Sequence, residues 1–210
     1  MLAAVFVSLF SCGVLAQSPA PAHKASAWKR YCHPNEGFCF KYPASWNMLG
    51  EVFDGKGVVV APTQTEEQSL WDEITVAMVA PPPQGDEEGL DLNGVVEQAA
   101  AGMREAGQNF VTLQRQDRTV DHKPAQLLKA QYREKSSGRD WIEELVFIDG
   151  PDNEIYSVAL KCAPQNLARL EPVLKGVLAS WTLLEPEPPA SDESTPQSPP
   201  PAKSSPQPQH

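Results

Sequence analysis

Positive charge is scarce in this chain. Lys and Arg together number 17 against 27 Asp and Glu, a net charge of −10 over 210 residues. No basic cluster forms, which argues against nucleic acid and against anionic membrane surfaces as partners. Histidine is scarcer. His23, His33, His122 and His210 supply no His-x-x-x-His pair and no Cys-x-x-Cys partner set, so no metal centre of familiar spacing is expected. A Gly-x-Ser-x-Gly elbow, a phosphate loop and a dinucleotide fingerprint are also missing. Gly55-Lys56-Gly57 is a phosphate loop only in miniature. No helix follows it to supply donors and a dipole, so it reads as a turn before a strand. No internal repeat is present. The sequence implies no cofactor and no catalytic residue.

Long apolar runs are lacking too, with one exception. Leu2 to Leu15 carries no charge, is near the upper limit of a signal-peptide core and is short for a membrane span. Val14-Leu15-Ala16 before Gln17 places a cleavage point between Ala16 and Gln17. Ser18-Pro19-Ala20-Pro21 follows at once and disfavours a buried helix there. Leu9-Phe10-Ser11-Cys12 resembles a bacterial lipobox, so lipidation at Cys12 is the alternative, and membrane contact is expected only in that case. The expected organisation is a signal peptide over 1–16, a linker over 17–27, a globular domain over 28–184 and a tail over 185–210. About a third of that tail is proline, mixed with Ser, Gln and acidic residues. It buries too little apolar surface to offset its ordering entropy and reads as a disordered spacer. Glu185, Glu187, Asp192 and Glu193 against Lys203 give it −3, leaving −7 on the rest.

The domain opens on Gly37-Phe38-Cys39-Phe40-Lys41-Tyr42-Pro43-Ala44-Ser45-Trp46. Phe38, Phe40 and Tyr42 alternate with Cys39 and Lys41, the period of a half-buried strand that stops at Pro43. A two-residue turn at Asn35-Glu36 sets Cys32 across from Cys39 and makes a cross-strand disulfide possible in an oxidising compartment. The rival bridge is Cys32–Cys162, since connectivity is not fixed by sequence. In the favoured pairing Cys162 is a buried free thiol on a face with Tyr156, Val158 and Leu160.

Gly57 to Ala61 reads as a central strand and Ile74 to Ala80 as an alternating one. Asp91 caps a helix whose stripe runs through Leu92, Val95, Val96, Ala99, Ala100, Met103 and Ala106 and which Gly107 ends. Phe110 to Leu113, Leu127 to Tyr132, Trp141 to Asp149 and Ile155 to Lys161 read as strands, the last two joined by a hairpin at 149–153. A final helix uses Leu167, Leu170, Leu174, Val177, Leu178 and Trp181, with Pro172 expected to kink or restart it. Strands in short loops with two amphipathic helices predict an α+β fold, a mainly antiparallel sheet covered by helices in an α/β/α sandwich.

The Gly-Phe-x-Phe-x-Tyr-Pro-x-x-Trp segment resembles the opening of the PsbP/Mog1-like family. Pro124-Ala125 before Leu127 to Tyr132, Asp149-Gly150 with Ile155 to Lys161 and Ala163-Pro164, and the closing Leu178-Ala179-Ser180-Trp181 extend the resemblance along about three quarters of the chain. It implies the same α/β/α sandwich. The family is functionally scattered, so it implies no single activity.

The acidic doublets Asp72-Glu73, Glu87-Glu88 and Glu143-Glu144 read as solvated charge, and on a strand Glu143 and Glu144 point to opposite faces. Cys32, His33 and Cys39 are three metal-ligand types in principle, but adjacent strand residues diverge and the bridge competes. His122 is expected in an exposed loop. Trp46 and Trp181 read as core, while Trp71 and the loop from Pro81 to Leu90 are candidates for a binding surface. The expectation is therefore an exported, secreted or periplasmic, non-enzymatic binding or assembly module of the cell envelope with an unknown protein partner. The alternatives are a carrier or chaperone for an apolar ligand, and an enzyme with an unrecognised cleft.

Overall fold

A computed structural model describes residues 27–63, 72–82 and 89–184. Cys12, Ala16, Gln17, Trp71, most of the loop after Pro81 and the tail from 185 lie outside the described residues.

The chain opens with a hairpin, β1 (Trp28–Cys32) and β2 (Phe38–Pro43). Cys32 pairs with Cys39, the register anticipated, but the connection is the four-residue loop Pro34 to Gly37 closed by His33 N–H donating to the Phe38 carbonyl at 2.8 Å. Gly37 takes φ 64°, a conformation that favours glycine. Phe38 and Phe40 are fully buried, Tyr42 nearly so, while Lys41 faces out. Each such burial is worth about 1.5–3 kcal/mol, which fixes the strand's face.

Seven further strands form one antiparallel sheet. They are β3 (Trp46–Val52), β4 (Gly57–Pro62), β5 (Glu73–Ala80), β6 (Gly107–Val120), β7 (Lys123–Glu134), β8 (Asp140–Asp149) and β9 (Ile155–Cys162), in the order β3-β4-β5-β9-β8-β7-β6. Helix α1 (Leu92–Ala106) lies between β5 and β6 in sequence and α2 (Leu167–Ser180) follows β9. A short β10 (Thr182–Leu183) pairs with β2, so β1, β2 and β10 make a second, small sheet. One face of the large sheet buries Val58, Val60, Ile74, Val76, Leu127, Val146, Val158 and Leu160 against α2 and β2. The opposite face buries Leu128, Ala130, Tyr132 and Phe147 against Val95, Val96, Ala100 and Met103 of α1. This is the expected α/β/α layering, with the small sheet packed on the α2 side. No helix among the described residues is long and apolar enough to cross a membrane.

Several expectations are corrected. The strand anticipated at Phe110 to Leu113 runs the whole of Gly107–Val120. It is an edge strand, exposed along almost its entire length and broken by two bulges, so no apolar alternation marks it. Trp46–Val52, the other edge, is likewise exposed after its first residue, Met48 and Leu49 included. Gly107 ends α1 but at φ −114°, not in the left-handed region. Its role is space: a Cβ there meets Tyr132 Cδ2 at 2.5 Å and the Met103 carbonyl oxygen at 2.9 Å. Helix α2 continues unbroken through Pro172, and the irregular turn precedes it at Pro164–Asn166. Asp91 caps α1 as expected, its side chain accepting from Gly94 N–H at 2.7 Å.

Candidate functional site

Register between strands distant in sequence builds the most distinctive surface. Val59, Thr75, Ala159, Leu145 and Leu128 lie in one row across β4, β5, β9, β8 and β7. The next row along is Glu73, Lys161, Glu143 and Ala130. Side chains alternate along each strand, so both rows point to the α1 face. Helix α1 packs chiefly on β6, β7 and β8, and among the described residues Glu73, Thr75, Ala159 and Lys161 on β5 and β9 beside it are only partly buried. The result is a groove of about 560 Å³ with the sheet as floor and Val95, Gln98 and Ala99 of α1 as one wall. Val52 and Phe53, at the end of β3 and in the turn after it, rim the other side, and Phe53 is 55% exposed. A volume in the ~300–1,000 Å³ range with a mainly apolar lining and few polar groups is that of a small-ligand site.

The polar groups gather at one end. Lys161 Nζ lies 3.4 Å from Glu134 Oε1, 3.7 Å from Glu143 Oε1 and 5.0 Å from the centre of the Trp141 ring. Tyr132 O–H donates to Glu143 Oε1 at 2.5 Å. Burial, and next the nearby carboxylate of Glu143, push the Tyr132 phenol far above its usual range, so it remains a donor. The Glu73 side chain makes no hydrogen bond and no contact ion pair among the described residues. Burial raises its carboxyl above the usual range, Lys161 opposes the shift, and Glu143 adds to it. Glu134, more exposed, is held lower chiefly by the hydrogen bond from Ser137 O–H. Three carboxylates thus share one ammonium. Such a site accepts donors and positive charge.

The opposite face overturns the expectation that the acidic doublets are solvated. Asp72 is 5% exposed and accepts from Ala163 N–H at 3.3 Å, Asn166 Nδ2 at 2.8 Å and Arg169 Nη2 at 3.0 Å. It pins the start of α2 to the sheet. Glu144 is also buried, 3.0 Å from Lys129 Nζ. Glu143 and Glu144 do point to opposite faces, one to the groove and one beneath α2. Glu87-Glu88 lies outside the described residues.

The other sequence candidates fall elsewhere. Cys32 and Cys39 are joined by a disulfide. His33 is buried, and its Nδ1 accepts from the backbone N–H groups of Asn35 and Glu36, so the ring shapes the hairpin loop. Cys162 is a buried free thiol that burial, with Asp72 adding, pushes up to about 12. His122 sits exposed in the β6–β7 turn, where Asp121 and His122 both take positive φ. Trp46 and Trp181 are core. None of these lines the groove. Sequence reasoning missed Glu73, Lys161 and Glu143 as a unit. The available signal was the strand alternation that sets Glu143 apart from Glu144.

No protein-family model matches the chain, and no curated protein matches it. Solved structures do. The cyanobacterial PsbP (CyanoP) of Synechocystis sp. PCC 6803 aligns over 80% of this chain and 99% of its own, at 15% identity and a TM-score of 0.56. LpqN, involved in cell envelope biogenesis of Mycobacterium tuberculosis, aligns over 76% and 91%, at 16% identity and 0.52. The Ran-binding protein Mog1p of Saccharomyces cerevisiae aligns over 76% and 96%, at 12% identity and 0.51. The fold is therefore PsbP/Mog1-like.

Proposed function

We propose that this protein is an exported, non-enzymatic binding module of the cell envelope, and that the groove beside α1 is where it binds. The observation that carries this reading is the half-covered sheet face with its apolar floor and one polar end. A sheet face bathed in water is ordinarily polar, and the partly exposed Ala159 and Leu145, next to the buried Val59, gain stability once covered. Export is supported by the apolar Leu2 to Leu15 segment and by the Cys32–Cys39 disulfide, which persists in oxidising compartments. Among proteins of this fold, one is Ran-binding and another is involved in envelope biogenesis, and neither description is of an enzyme. The carrier form of this reading, in which the bound species is a small apolar ligand, is favoured by the groove's size.

The test is a groove-filling variant. Ala159 lies half-exposed on the floor, so Ala159→Phe occupies the space with little disturbance to the core. The full chain should bind the apolar fluorophore N-phenyl-1-naphthylamine, and the variant should bind it at least tenfold more weakly. An authentic ligand at a hundred times its Kd should stabilise the protein by about 2.7 kcal/mol, a rise in Tm of about 5–10 °C for a domain this size. Equal probe binding by both proteins rules the groove out.

A further inference from the structure

The polar end of the groove says what kind of occupant fits. Resting on the reading of the groove as the binding site, we propose that its occupant is an amphiphile with an apolar body and a cationic amine head, the head seated on the Glu73–Lys161–Glu143 row. The apolar body lies along Thr75, Ala159 and Leu145 under the wall of α1.

Charge complementarity carries the argument. Glu73 and Glu143 flank Lys161 on adjacent strands, two inter-strand spacings or about 10 Å from each other. Glu134 reaches the same ammonium. Lys161 is engaged by Glu134 and Glu143 and lies over the Trp141 ring, so it is not free to receive an anion. The neighbouring Lys135 is turned away, donating to the Glu105 carbonyl oxygen at 2.6 Å. Two lining carboxylates against one ammonium that Glu134 also engages from outside the groove leave its polar end net negative by about one charge. The Glu73 carboxylate has no contact partner among the described residues, and burial already disfavours its charged form despite the nearby Lys161. A ligand cation at this position supplies the missing partner in a partly desolvated setting, where charge-assisted hydrogen bonds are strongest. An anionic head meets repulsion there, and a neutral hydroxyl gains only an ordinary hydrogen bond.

The experiment uses the full chain and competition against N-phenyl-1-naphthylamine by decylamine, decanol and decanoate, each below its aggregation concentration. Decylamine should displace the probe at least tenfold more tightly than decanol, and decanoate should be weakest. Glu73→Gln should erase most of the amine's advantage while leaving decanol unchanged. Glu143→Gln, which keeps an acceptor for Tyr132, should reduce the advantage in the same direction. Glu97→Gln, on the outer side of α1 beside Arg115, should do nothing. Raising the salt concentration should narrow the gap between amine and alcohol. If amine and alcohol bind within twofold of each other, the groove stands and the cationic head is overturned. If none of the three displaces the probe, and Ala159→Phe leaves probe binding unaltered, the inference falls together with the groove reading.

Discussion

Reducing the disulfide should weaken this domain by an amount that its loop length sets. Cys32 and Cys39 are seven apart in sequence, so the bond closes a ring of about eight residues in the unfolded chain. Loop-closure entropy for such a ring is about 2.5 kcal/mol at 25 °C, somewhat below the ~3 kcal/mol of a fifteen-residue loop. The native β1–β2 ladder does not diminish the figure, because that ladder is absent when the chain is unfolded. A second effect acts locally. Strand β1 is largely exposed and pairs only with β2. Its remaining anchors are Tyr31 against Phe40 and Trp28, whose ring fills the space that a side chain on Gly176 would take. Once reduced, β1 is free to fray before the sheet unfolds, and part of the loss then appears as local opening rather than as a lower global stability.

Two measurements separate these effects. Urea denaturation of oxidised and reduced protein should differ by about 1.5–2.5 kcal/mol, and Tm by about 3–10 °C. Hydrogen exchange should show lost protection for β1 amides on reduction while β8 and β9 amides follow the global change. Cys32→Ala with Cys39→Ala should behave like the reduced protein with a small additional cost, since Cys39 is 1% exposed and its sulfur leaves a void. Alkylation of unfolded but unreduced protein should leave Cys32 and Cys39 unlabelled and modify Cys162. Coincident denaturation curves for the two redox forms, with unchanged β1 protection, would refute both the pairing and the entropic argument.

Three further outcomes follow from the packing. Asp72→Ala should cost about 2–4 kcal/mol in urea denaturation, because it strips three donors at the start of α2; Arg169→Ala should cost about 1 kcal/mol, its guanidinium being half exposed and free to hydrate. Gly107→Ala should destabilise by about 1–3 kcal/mol through the clash with Tyr132, whereas Gly102→Ala, with nothing within 4 Å of the added methyl, should stabilise α1 by about 0.5–1 kcal/mol. Glu73 binds its proton more tightly when folded, through burial and the Glu143 charge and despite Lys161. Between the free value of 4.5 and the raised folded value, stability should therefore fall as pH rises, and Glu73→Gln should flatten that part of the urea-midpoint profile. An unchanged profile in the variant would remove Glu73 from consideration as a desolvated group.

The fold was legible wherever one face of an element is apolar and the other is not. Phe38, Phe40 and Tyr42 announce β2, the Val95-Val96-Ala100-Met103 stripe announces α1, and the doubly apolar half of Trp141 to Asp149 announces a central strand, which β8 is. Edge strands carry no such mark. β6 is exposed on nearly every residue, Val111 and Leu113 included, and β3 buries only Trp46 while its Met48 and Leu49 stay exposed, so neither shows an apolar face that alternates with a polar one. Buried charge was misread for a related reason. Asp72 and Glu144 each sit in an acidic doublet that looks solvated, and only Arg169, Asn166 and Lys129, distant in sequence, make their burial tolerable.

The groove was illegible because it belongs to no segment. Glu73, Lys161 and Glu143 meet through the pairing of β5 with β9 and of β9 with β8, an order that departs from chain order at the centre of the sheet. The partly open face beside α1 among the described residues has an equally plain cause. Seven strands at about 4.8 Å spacing span roughly 29 Å, while one helix with its side chains is about 10 Å across. On one side, α2 and the small sheet together cover the core; on the other, α1 is the one described element laid over the sheet, chiefly over β6 to β8. A face left open merely for want of a second helix would be stable with polar residues on β4, β5 and β9. Here those positions hold Val59, Thr75, Val79 and Ala159, and the one charged row among them carries two carboxylates, Glu73 and Glu143, around the single ammonium of Lys161. Apolar side chains left partly exposed among the described residues, beside carboxylates that outnumber their ammonium, are a cost to the folded chain that the proposed cationic amphiphile would reduce on both counts.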